Sequence, residues 1–107
     1  MSLSVQKTGT TLSLKISSPR IEGDNSLVNY LQAGKFMTPD IEVLELDLDE
    51  VEYINSPGIS ELINLNRNLQ ETTKERAKLV FLNVDQRVNS ILELVEVTKI
   101  ADIHVKE

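Results

Sequence analysis

The sequence predicts an α/β fold: a mixed sheet of four to five strands, opened by a hairpin and continued by parallel β-α units, with about three helices. Two patterns carry this expectation. Residues 11–17, Thr-Leu-Ser-Leu-Lys-Ile-Ser, alternate apolar and polar side chains as a half-buried strand does. From Leu27 onward, segments with helical spacing alternate with short apolar runs, and such an order requires crossovers between parallel strands. At 107 residues the chain fits one domain, 1–107, built around one core.

Each element has its own signal. Leu3 to Lys7 is a weaker strand candidate, and Gly9-Thr10 separates it from the run at 11–17, so the two form a hairpin. Ser18-Pro19 breaks the chain. The segment Ile21-Glu22-Gly23-Asp24-Asn25 then reads as a loop ending in residues suited to cap a helix, in which Leu27, Val28 and Leu31 recur at helical spacing until Gly34. Thr38-Pro39-Asp40 is a turn, and Leu44, Leu46 and Leu48 alternate with Glu45, Asp47 and Asp49 in a central strand over 41–48. Ile59, Leu62, Ile63, Leu65 and Leu69 mark the longest helix, running to about Thr72. Lys78 to Asn83 is nearly continuously apolar, as in an internal strand covered on both faces. Asp85 caps a third helix with Val88, Ile91, Leu92 and Val95 on one stripe, and 100–105 forms the last strand.

Composition narrows the function. Seventeen Asp and Glu against eleven Lys and Arg leave a net charge of −6, so the average field repels phosphate backbones and direct nucleic-acid binding is not expected. The absence of cysteine excludes disulfides and thiolate metal sites and suits the cytoplasm. No stretch approaches the length of an apolar membrane span, and the N-terminus lacks the features of a secretory signal, so neither membrane insertion nor export is expected.

The informative stretch is Leu46-Asp47-Leu48-Asp49-Glu50-Val51-Glu52-Tyr53-Ile54-Asn55-Ser56-Pro57-Gly58-Ile59, in which a strand leads through an acidic connection into a loop at a helix start. Unpaired N–H groups gather there and tolerate negative charge. If Ser56 is the N-cap, Pro57 takes the first helical position and Gly58 keeps the backbone beside the hydroxyl uncovered. Ser-Pro is also a common way simply to begin a helix, and capping does not exclude phosphorylation.

On these residues the chain resembles the STAS domain family, the anti-sigma factor antagonists. In that family an Asp-Ser-Ser/Thr-Gly-Leu loop precedes the second helix. Ser56 matches the phospho-acceptor serine and Gly58 the loop glycine; Asn55, Pro57 and Ile59 stand where the family has Asp, Ser or Thr, and Leu. Ile21-Glu22 is similar to the Ile-Asp of the loop before the first helix. The resemblance implies a STAS-like α/β fold and a non-enzymatic bacterial signalling switch. It implies phosphorylation at Ser56 and a partner-binding loop of Glu22, Asp24, Asn55, Ser56, Pro57, Gly58 and Ile59. The implied partners are an anti-sigma factor-type serine kinase and a PP2C-type phosphatase, with no cofactor. The family's usual further C-terminal helix has no counterpart after 100–105, which would leave part of the core face open to a partner.

The alternative is a constitutive scaffold or accessory subunit of a stress-signalling or transporter complex, with Ser56 only a helix cap. An enzyme is the least favoured reading, because no nucleophile and base pair, P-loop or dinucleotide fingerprint emerges. Glu45, Asp47 and Asp49 share one side of a strand and could in principle hold a divalent cation, although solvated strand charges are commoner. His104, the single histidine, reads as a surface or sheet-edge residue.

Overall fold

The computed structural model describes residues 2–24 and 26–107. Among them β1 (Ser2–Thr8) and β2 (Thr11–Ser17) form the expected hairpin, with Gly9 at φ +62° turning the chain between them. A two-residue strand β3 (Arg20–Ile21) follows, then α1 (Ser26–Ala33), β4 (Val43–Asp47), a second short strand β5 (Tyr53–Ile54) and α2 (Ser56–Thr73). The chain continues with β6 (Lys78–Val84), α3 (Gln86–Leu94), a 3₁₀ turn at Val97–Lys99 and β7 (Asp102–Val105). The contribution expected of Asn25 to the start of α1 lies outside the described residues.

The main sheet has five strands in the order β1-β2-β4-β6-β7; β1 is antiparallel to β2, and the other neighbours are parallel. Each new strand is added on the same side of the last, so right-handed crossovers carry all three helices to one face. The buried residues agree. Leu12, Leu14 and Ile16 of β2, Leu44 and Leu46 of β4, and Leu79 and Phe81 of β6 lie in one core with Leu27 and Leu31 of α1, Leu62, Leu65 and Leu69 of α2, and Val88 and Leu92 of α3. Burying such side chains is worth about 1.5–3 kcal/mol each and dominates the stability of a domain this size.

Three expectations change in detail. β6 is internal, yet Val80 and Leu82 are only half-buried because all the helices lie on the other face, so it is not covered on both sides. Asn83 takes a left-handed conformation (φ +57°) and the pairing with β7 shifts between Phe81 and Val84, a bulge that returns Val84 to the core. Residues 100 and 101 belong to the turn after the 3₁₀ segment, so the last strand begins at Asp102.

Candidate functional site

The chain has a feature that its apolar periodicity does not reveal: β3 and β5 pair in parallel, Arg20 with Tyr53 and Ile21 with Ile54, as a separate two-stranded sheet. Pairing is anchored on Pro19, whose carbonyl accepts from the N–H of Glu52 (2.8 Å) and Tyr53 (3.0 Å). Both strands are too short to show alternation. Their effect is to bring the loop before α1 and the loop before α2 side by side.

Two glycines lock these loops together. Gly23 has φ +82°, and a Cβ on it would lie 2.3 Å from the carbonyl carbon of Pro57. A Cβ on Gly58 would lie 2.2 Å from the carbonyl oxygen of Ile21. Each loop therefore fits the other only because a side chain is missing. Gly58 is buried, so its role is close backbone approach and not the uncovering of the neighbouring hydroxyl that the sequence suggests. Ile59 is likewise a core residue, 9% exposed, and fixes the loop from beneath instead of facing a partner.

Ser56 is exposed, but it is not the helix cap. Asn55 holds that position, with φ −101° and ψ 177°, and its side-chain oxygen accepts the N–H of Gly58 at 2.8 Å. Ser56 is then the first residue of α2 and Pro57 the second, where a missing N–H costs nothing. An Asn caps as well as a Ser, and it outcompetes Ser56 here because its position lets Oδ1 reach the third N–H of the helix. Among the described residues the Ser56 hydroxyl makes no hydrogen bond, so it is both positioned and unspent.

Glu22 and Asp24 flank Gly23, which abuts Pro57 beside Ser56. Glu22 is exposed and pairs with Arg20 at 3.6 Å, while the Arg20 guanidinium lies 5.7 Å from the ring centre of Tyr53, which is 49% exposed. Asp24 accepts from the Ser26 N–H at 3.1 Å, and bonds from Ser26 hold its carboxyl below the usual Asp range. Of the predicted loop residues, Glu22, Asp24, Asn55, Ser56 and Pro57 thus gather at one pole, with Gly58 and Ile59 behind them.

Arg20, Tyr53 and Glu61 are absent from the sequence-based site. Glu61 is 1% exposed, and its Oε2 accepts the Leu27 N–H at 2.9 Å, so α2 caps α1 across the core. Burial pushes its carboxyl above the usual Glu range; the Leu27 bond opposes the shift, and the charge of Asp24 adds to it. A lone Glu within a helical apolar stripe was the available signal: position 61 immediately precedes Leu62 on the buried side.

The remaining candidates disperse. Glu45 accepts from the Ser13 hydroxyl at 3.0 Å, Asp47 from the Asn83 amide at 3.1 Å, and Asp49 pairs with Lys106 at 3.2 Å. No group of three His, Cys, Asp or Glu able to hold a metal ion occurs among the described residues. His104 is exposed on β7 at the sheet edge. Among the described residues no helix is long and apolar enough to cross a membrane.

Comparison with known proteins places this geometry. The STAS domain model matches residues 3–107. An anti-sigma-factor antagonist (STAS) domain protein from Planctomyces limnophilus shares the fold with a TM-score of 0.71 and 13% identity, over 98% of this chain and 91% of that one. A Thermotoga maritima protein, provisionally assigned as an anti-sigma factor antagonist, aligns with a TM-score of 0.68 and 13% identity over 94% and 84%. The murine Solute Carrier 26 family member A9 anion transporter, in its inward-facing state, contains the same fold, with a TM-score of 0.73 and 15% identity over 95% of this chain and 17% of the transporter. At these identities the solved structures speak for the fold alone. No curated protein matches the sequence.

Proposed function

The chain belongs to the STAS domain family, and from that premise we propose that it is a non-enzymatic switch of the anti-sigma factor antagonist type, phosphorylated at Ser56 by a partner serine kinase. The observation that carries the proposal is the division of labour at the start of α2: Asn55 does the capping, so the exposed Ser56 hydroxyl has no structural duty. Unmodified, the loop and the exposed side of α2 bind the kinase in competition with its other client. Tyr53 and Arg20 supply the aromatic and guanidinium contacts at the rim that commonly anchor such interfaces.

Phosphorylation adds about −1.5 to −2 charges beside Glu22 and Asp24, in a contact that a partner would otherwise desolvate. A penalty of ~3 kcal/mol lowers affinity by a factor of about a hundred, enough to release the complex. A PP2C-type phosphatase resets the loop. The helix start tolerates the phosphate in the free protein, because the N–H of Ser56 is open to it and the helix dipole favours negative charge there. The fold therefore persists in both states, and the switch acts on association.

A second reading, a constitutive scaffold or accessory subunit, is favoured by the fold shared with the anion transporter. One experiment separates the two. The protein is incubated with a candidate cognate kinase and ATP, the phosphate is located by mass spectrometry, and binding of Ser56→Asp is measured. Label on Ser56 and an affinity loss of about a hundredfold with the fold retained support the switch. Label elsewhere, no label with an active kinase, or full affinity in Ser56→Asp overturns it.

A further inference from the structure

The two edges of the main sheet are unlike. β7 is four residues long, its pairing is interrupted at Asn83, and Asp102, His104 and Lys106 place charge or polarity along it. These are the devices by which proteins protect an edge from strand addition. β1 lacks the shortness and the interruption, and only one of its polar residues is charged. It is seven residues long, pairs with β2 without a shift from Ser2 to Thr8, and contains no proline and no acidic residue. Its single charge, Lys7, is drawn aside by Asp40 (2.8 Å) and Thr38 (3.1 Å).

We propose that two copies of this chain join along the outer edge of β1, antiparallel, about a two-fold axis perpendicular to the sheet and midway between their Val5 residues. The register follows from the backbone. The Thr10 carbonyl accepts from the Val43 N–H, so even-numbered residues of β2 direct their backbone groups to β4 and odd-numbered ones to β1. Through the register of the hairpin, Ser2, Ser4, Gln6 and Thr8 spend their groups on β2, and Leu3, Val5 and Lys7 point theirs outward. An axis normal to the sheet carries the core face onto the core face. With the two Val5 residues on either side of that axis, the three outward residues meet outward residues: Val5 faces its own copy, and Leu3 faces Lys7.

Side chains suit this pairing. Leu3 and Val5 are half-buried on the core face beside Ile16 and Leu14, and a second strand would complete their cover. The aliphatic stem of Lys7, its ammonium held by Asp40, would lie over Leu3 of the other copy. On the open face Ser4 meets Gln6 and Ser2 meets Thr8, all uncharged. A chain of net charge −6 resists self-association over most of its surface, and β1 itself carries no acidic side chain. Two seven-residue strands bury little area, so the dimer is weak and concentration-dependent. The axis also turns the two Ser56 loops to opposite ends of the joined sheet, leaving each open to its own partner.

The chain has no cysteine, so one introduced thiol reports the register. Val5→Cys faces its counterpart across the axis, about 5.5 Å between Cα atoms, within disulfide reach. Leu3→Cys, on the same face, lies ~13 Å from its counterpart. Under mild oxidation of the intact chain, Val5→Cys should form a linked dimer at least tenfold faster than Leu3→Cys. Sedimentation should show the wild-type mass doubling as concentration rises. Val5→Pro, which removes an N–H that β2 does not use, should abolish that doubling with the circular dichroism spectrum unchanged. Equal cross-linking of the two thiols, a wild-type chain that stays monomeric at its highest soluble concentration, or a dimer that survives in folded Val5→Pro would overturn the proposal.

Discussion

The starts of α2 and α3 use the same local device for different ends. At α3, Asp85 caps with φ −60° and ψ 141°, accepting the N–H of Arg87 at 2.8 Å and its guanidinium at 3.1 Å. The hydrogen bonds to this cap's side chain all come from Arg87, two residues on, and that partner holds the Asp85 carboxyl down to about 2. At α2, Asn55 makes a neutral cap, and the position of the turn is set from outside by Gly23 against Pro57 and Gly58 against Ile21. A self-contained cap needs no neighbour and has no site to offer. A cap locked by a second loop holds a hydroxyl still without using it, and its neutral side chain leaves room for charge to be added.

Three substitutions test how far that contrast holds. Gly58→Ala should be the most damaging, costing about 3 kcal/mol in chemical denaturation, because its Cβ would meet a backbone carbonyl that cannot rotate away. A loss well under 1 kcal/mol would mean that the loops are not locked. Asn55→Ala should cost about 1 kcal/mol, the ordinary value of a helix cap. Ser56→Ala should stay within about 0.5 kcal/mol of wild type, since the hydroxyl bonds nothing; a cost like that of Asn55→Ala would return the capping role to Ser56.

Acid titration separates the two helices further. The folded-state pKa of Asp85 is depressed, so its stabilising contribution is present above 3.8 and is lost as pH falls through about 2. Asp85→Asn should flatten that part of the stability profile, and Asn55→Ala should leave its shape unchanged. Glu61 runs in the opposite sense. Its pKa is raised on folding, so its relative stabilisation is present below 4.5 and is lost as pH climbs through the folded value. The stability of Glu61→Gln relative to wild type should therefore improve from acid to neutral pH, and an unchanged difference across that range would contradict the buried carboxylate.

The alternating strands, the helical stripes, the Asp85 cap and the Ser56 stretch were legible in the amino-acid order because each is local. Alternation and 3.6-residue spacing declare which side of an element is apolar, and that decides an α/β sheet with helices against it. The parallel pairing of Arg20–Ile21 with Tyr53–Ile54 left no such trace, since two residues carry no period and their partners are more than thirty positions away. The choice of Asn55 over Ser56 as cap, the burial of Ile59, and the reach of Glu61 to Leu27 all follow from that pairing. The order of residues alone specified the five strands of the main sheet, the three helices, their succession along the chain and the serine at the head of α2. How two distant loops meet was fixed in three dimensions, because close backbone approach depends on which carbonyl faces which missing Cβ, and no spacing along the chain records it.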